Sequence, residues 1–125
     1  MIVSKYFIDS SVWLGYFIGD MPKAKTIIES DNLLITSVVS LHEIYKKFIT
    51  LGEDSEKIIK FIEDMSIIVG IDKKIAIESA KNCVKYSLHT VGSLIYTSSV
   101  ENSDVFVTAD NDFRKTPNTI VIPAR

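Results

Sequence analysis

Short apolar runs alternate along the chain with longer segments in which apolar positions return every three or four residues. Five runs read as strands: Tyr6 to Ile8, Leu33 to Ile35, Ile67 to Val69, Val105 to Val107 and Ile120 to Ile122. Their brevity and unbroken apolar character predict parallel strands buried on both faces. Helical periodicity fills the intervals, over Val12 to Phe17, Lys23 to Glu29, Val38 to Ile49, Ser55 to Asp64, Lys73 to Tyr86 and Ser93 to Glu101. Alternation of this kind predicts an α/β fold, a three-layer sandwich with a mainly parallel five-stranded sheet flanked by helices. No repeat, low-complexity run or Pro/Gly-rich linker interrupts it, so one domain spanning residues 1–125 is expected.

In open parallel sheets ligands bind beyond the carboxyl ends of the strands, so acids placed there carry the chemical interest. Asp9 follows "YFI" and precedes "SS", where the first strand hands over to a helix. An isolated Asp in that place serves equally well as a helix N-cap. Asp110 and Asp112 end the run "VFVTADNDF", where an Asx-type turn is the structural alternative. If the first and fourth strands are neighbours, however, Asp9 and Asp110 share one crevice. Clustered carboxylates repel and their pKa values rise unless a cation neutralises them. Hard oxygen donors suit Mg²⁺ or Mn²⁺, and the chemistry implied is phosphodiester cleavage.

Composition narrows the choices. The 125 residues are 46% hydrophobic and 24% charged, enough apolar content for a self-sufficient core. A net charge of -2 and a pI near 5.6 exclude nucleic-acid binding through a globally positive surface. The single cysteine, Cys83, excludes an intrachain disulfide and a cysteine zinc cluster, so a reducing cytoplasm is the expected location. Lys5 and Asp9 interrupt the apolar N-terminus, and neither export nor membrane insertion is expected. His42 and His89 have no metal-binding spacing and are assigned ordinary surface or hydrogen-bonding roles. Trp13, Tyr16 and Phe17 cluster on the first helix, as core or as the lining of a partner groove. In "TSVVSLHEIYKKF", the apolar stripe is Leu41, Ile44, Tyr45 and Phe48, and Glu43 lies opposite, which by periodicity alone makes it a solvated glutamate.

Three segments taken together, "FIDSSVWLGYF", "ITSVVSLHEIYKKF" and "GSLIYTSSVENSDVFVTADNDF", resemble the PIN domain family, especially its small VapC-like members. The resemblance spans nearly the whole chain. It implies a metal-dependent nuclease of VapC-like type, an endoribonuclease toxin cutting RNA with Mg²⁺ or Mn²⁺, paired with a VapB-like antitoxin and expected as a homodimer. Asp9 then matches the family's first acid, Glu43 its helical glutamate and Asp110 the acid after the fourth strand. Asp112 matches a further acid of the same segment, and Ser10, Ser11 and Thr108 match small hydroxyl residues that support the cluster. The family usually carries another aspartate where this chain has Gly92, aligned through Leu94, Ile95 and Tyr96. The alternative reading is therefore a catalytically impaired PIN-fold protein acting as a binding or partner module. An acid restored at position 92 is expected to fit the helix start and to strengthen metal binding.

Overall fold

The structure, a computed structural model, describes residues 4–123. In chain order the elements are β1 (Lys5–Ile8), α1 (Ser10–Ile18), α2 (Pro22–Ile28), β2 (Leu33–Ser37), α3 (Val38–Thr50), α4 (Ser55–Met65), β3 (Ile67–Val69), α5 (Lys73–Tyr86), α6 (Thr90–Asn102), β4 (Val105–Thr108) and β5 (Thr119–Val121). A short 3-10 turn over Asn111–Phe113 lies between β4 and β5. The five strands form one sheet in the order β3-β2-β1-β4-β5, and every pairing is parallel. The expected α/β architecture is therefore present, with each strand within two residues of the segment read from the sequence.

The period of two along the central strands sorts the core into two layers. Ile8, Leu34 and Val107 point into a cluster with Val12, Trp13, Ala24, Ile28, Ile44, Phe48 and Ile62, contributed by α1 to α4. Their immediate neighbours Phe7, Ile35 and Phe106 point the other way, into a cluster with Leu88, Ile95, Tyr96 and Phe113. The sheet is thus sandwiched between two helical layers. Burial on both faces holds for β1, β2 and β4, but not at the margins. Ile67 of β3 is 50% exposed and Ile120 of β5 is 40% exposed, because an edge strand lacks a neighbour on one side.

The first helix resolves the aromatic question by position. Trp13 is fully buried and donates from Nε1 to Thr36 Oγ1 at 3.1 Å, which satisfies both polar groups inside the core. Phe17 stacks on it, with ring centroids 6.0 Å apart, and is itself only half-buried. Among the described residues, no helix is long and apolar enough to cross a membrane.

Candidate functional site

The register of β1 against β4 builds the site. Ile8 pairs with Val107, so Asp9 and Thr108 emerge side by side at the carboxyl edge, tied by the Asp9 N–H donating to Val107 O at 2.9 Å. Asp9 also occupies the N-cap position of α1, yet its side chain caps nothing. Instead Asp9 Oδ2 accepts from Thr108 Oγ1 at 2.7 Å and from Ser11 Oγ at 2.8 Å. Each hydroxyl is held in turn by a backbone donor. Asp110 N donates to Thr108 Oγ1 at 3.1 Å, and Ala109 N donates to Ser11 Oγ at 3.0 Å. The chain after β4 is thereby locked to the chain after β1, with the carboxylate at the junction.

Asp9 is only 6% exposed. Burial pushes its carboxyl above the ordinary aspartate range, and the negative charge of Glu43 adds to that push. The two hydroxyl bonds oppose it without reversing it. A buried acid held in this way has its charge only partly compensated by the protein.

Glu43 is not the solvated residue its helical periodicity suggests. It is half-buried, and its Oε1 accepts from Ser10 Oγ at 2.8 Å, so the start of α1 and the second turn of α3 meet through it. Asp110 is exposed and uses Oδ1 to accept from Asp112 N at 2.9 Å, an Asx-type cap on the 3-10 turn. Asp112 is exposed beside it. All four acids, Asp9, Glu43, Asp110 and Asp112, line one cleft of about 290 Å³ at the carboxyl edge of the sheet. Among the described residues, no lysine or arginine lines that cleft.

The donors fit a hard divalent cation in kind: they are carboxylate oxygens, uncompensated by any lysine or arginine among the described residues of the cleft. They do not close around one point. Among the described residues, no three of His, Cys, Asp and Glu are grouped tightly enough to hold a metal ion directly. An ion here would be gripped by few carboxylates and completed by water, a mode that Mg²⁺ tolerates.

Gly92, in the first turn of α6, also lines the cleft. A β-carbon there would stand 2.9 Å from Cζ of Phe113, a buried ring packed against Tyr96 and Phe106. An acid at position 92, expected to suit the helix start, would therefore have to displace the Phe113 ring. The rest of the lining carries no motif in the sequence. Leu88, Val91 and Ile95 contribute apolar surface, and His89, expected in a surface or hydrogen-bonding role, is exposed and sits in the cleft. Its signal was hidden because α6 begins at Thr90, three residues before its apolar periodicity does.

Fold and cleft together define a parallel α/β domain with an acid-lined carboxyl edge. The PIN domain profile matches residues 6–118, and the chain belongs to the PIN domain family. A search by sequence against curated proteins found no match. Similar solved structures include a toxin-antitoxin complex from Klebsiella pneumoniae, 18% identical with a TM-score of 0.81, covering 93% of this chain and 96% of that one. VapBC2 from Rickettsia felis, bound to a DNA fragment from its promoter, is 14% identical with a TM-score of 0.75, covering 95% and 98%. The sarcin-ricin loop cleaving toxin VapC20 of Mycobacterium tuberculosis is 14% identical with a TM-score of 0.74, covering 94% and 99%. At these identities the likeness is one of fold.

Proposed function

We propose that the protein is a metal-dependent endoribonuclease of VapC-like toxin type, in which Asp9, Glu43, Asp110 and Asp112 hold Mg²⁺ or Mn²⁺. The observation that carries this reading is the buried, hydroxyl-bound Asp9 sharing a cleft with three further acids and, among the described residues, no lysine or arginine. A bound divalent ion supplies neutralisation of phosphate charge and activation of water. The chain's own part is positioning. Thr108 and Ser11 fix the Asp9 carboxylate, Ser10 fixes Glu43, and the Asx cap of Asp110 fixes the turn that carries Asp112. Preorganised groups of this kind lower a barrier because no reorganisation is needed during reaction.

The test is cleavage of a panel of single-stranded RNAs by the purified protein with Mn²⁺ or Mg²⁺, against Asp9→Asn and chelator controls. Cleavage that requires the metal and is lost in Asp9→Asn supports the reading. Cleavage unaffected by either control, or none with any RNA, overturns it.

A second reading has its own observation. Gly92 and the Phe113 ring that abuts it leave the α6 side of the cleft without a carboxylate, which favours a PIN-fold protein impaired in hydrolysis and acting through partners. Under either reading the proposed partner is a VapB-like antitoxin. A groove of about 820 Å³ between α1, α3 and α4, floored by Phe17, Phe48, Ile58 and Phe61, offers it an apolar seat. A homodimer belongs to the same proposal, and Ile77 and Val84 of α5, at 53% and 85% exposed, give it apolar surface to cover. Light scattering of the purified chain, alone and with the product of a neighbouring small gene, decides both associations.

A further inference from the structure

The cleft is lined by acids and apolar groups, and its supply of hydrogen-bond donors is small. Its side-chain donors are Ser10, Ser11 and His89. Two of the three are spent within the protein: Ser10 Oγ donates to Glu43, and Ser11 Oγ donates to Asp9. His89 is exposed and occupies the N-cap position of α6, with an extended backbone at φ -69 and ψ 154, yet its side chain makes no cap hydrogen bond. Its backbone carbonyl accepts from Ser93 N at 2.9 Å, but among the described residues its side chain takes part in no hydrogen bond and no ion pair. The first turn of α6 carries no acid that would claim it.

A polyanion entering this cleft meets carboxylates and one free side-chain donor. Resting on the ribonuclease reading above, we infer that His89 contacts the substrate: its imidazole N–H donates to a phosphate oxygen of RNA lying in the cleft. An imidazole carries an N–H donor in either of its forms. A donor to a charged phosphate oxygen makes a short, strong hydrogen bond, and here it stands apart from the groups that fix the acids.

The experiment compares His89→Ala and His89→Asn with the parent protein. Binding of single-stranded RNAs is read by fluorescence anisotropy with Mn²⁺ in an Asp110→Asn background, cleavage is read in the parent background, and Mn²⁺ affinity and Tm are read for each variant. The expected result is RNA binding at least tenfold weaker in His89→Ala, with partial recovery in His89→Asn, which keeps an N–H donor, and with Mn²⁺ affinity and Tm unchanged. His89→Ala that binds RNA as tightly as its background overturns the inference. Loss of Mn²⁺ affinity in His89→Ala also overturns it, since His89 would then act on the metal. If the parent binds RNA through His89 but cleaves none, the ribonuclease reading fails and the His89 contact stands. If the parent cleaves RNA and His89→Ala cleaves and binds equally well, the contact fails and the ribonuclease reading stands. If the parent neither binds nor cleaves any RNA, both are overturned.

Discussion

The edge of the Phe113 ring stands 2.9 Å from where a β-carbon on Gly92 would lie, so the glycine in the first turn of α6 is a matter of space. Its backbone is helical, and conformational freedom is not what the position requires. Phe113 cannot withdraw cheaply, since its ring packs edge-to-face on Phe106, 5.1 Å between centroids, and tilted on Tyr96 at 6.3 Å. Overpacking a filled site costs about 1–3 kcal/mol. Over most of that range it outweighs the helix propensity gained on replacing glycine, roughly 1 kcal/mol for alanine and less for aspartate.

Gly92→Ala and Gly92→Asp are therefore both expected to lower stability in urea denaturation. Phe113→Leu shortens the ring and relieves the clash, so the penalty at position 92 should shrink by about 1 kcal/mol or more in that background. Equal penalties with Phe113 and with Leu at 113 would show that the ring does not hold the position.

Thr108 spans two strands with one hydroxyl, donating to Asp9 Oδ2 and accepting from Asp110 N. Thr108→Val keeps the shape, removes a buried bond to a carboxylate and leaves the Asp110 N–H short of its partner. The expected loss is about 1–3 kcal/mol in chemical denaturation. In an Asp9→Asn background the loss should be smaller, because the bond then reaches a neutral oxygen. A loss of the same size in both backgrounds would separate the hydroxyl from the charge.

Burial raises the Asp9 carboxyl above its unfolded value, and the sign of its effect on stability follows. Below the unfolded value the group is protonated in both states and costs nothing. As pH rises from the ordinary aspartate range through the raised folded value, the unfolded chain releases the proton first, and the folded state loses stability until the folded group has ionised. Asp9→Asn removes this term while keeping an oxygen for Ser11 and Thr108. Without metal, Asp9→Asn should melt higher than the parent at pH 7, with the difference closing as pH falls toward 4. Parallel pH profiles of Tm for the two proteins would contradict the raised carboxyl.

Much of the fold was legible because strand pairs such as Phe7 with Ile8 and Phe106 with Val107 carry the period of two in short apolar runs, and α3 and α4 carry a one-sided apolar stripe at helical period. The crevice between β1 and β4 followed from the same reading. Glu43 was not legible from periodicity, because its partner Ser10 lies 33 residues away and the apolar stripe of α3 describes only the side facing the core. Phe113 and Gly92 meet through tertiary packing that no local pattern records. His89 was obscured by the polar start of α6, where propensity and periodicity are both silent.

The acids of the cleft are expected to tie stability to divalent metal. A ligand that binds the folded state alone stabilises it by mass action, about 2.7 kcal/mol when its free concentration is a hundred times Kd. The Asp9 carboxylate is the most desolvated of the four acids, so a cation that neutralises it removes a cost the folded protein otherwise carries. Adding Mn²⁺ should therefore raise the Tm of the parent progressively, whereas Asp9→Asn, already freed of the buried charge, should respond little. The order of the two proteins then inverts: Asp9→Asn melts higher without metal, and the parent overtakes it once Mn²⁺ binding outweighs the burial cost. With no three acids among the described residues closing around one point, the rise should need a large excess of metal over protein. A melting temperature that does not move with Mn²⁺ in the parent, or that moves equally in Asp9→Asn, would remove the metal from this cleft.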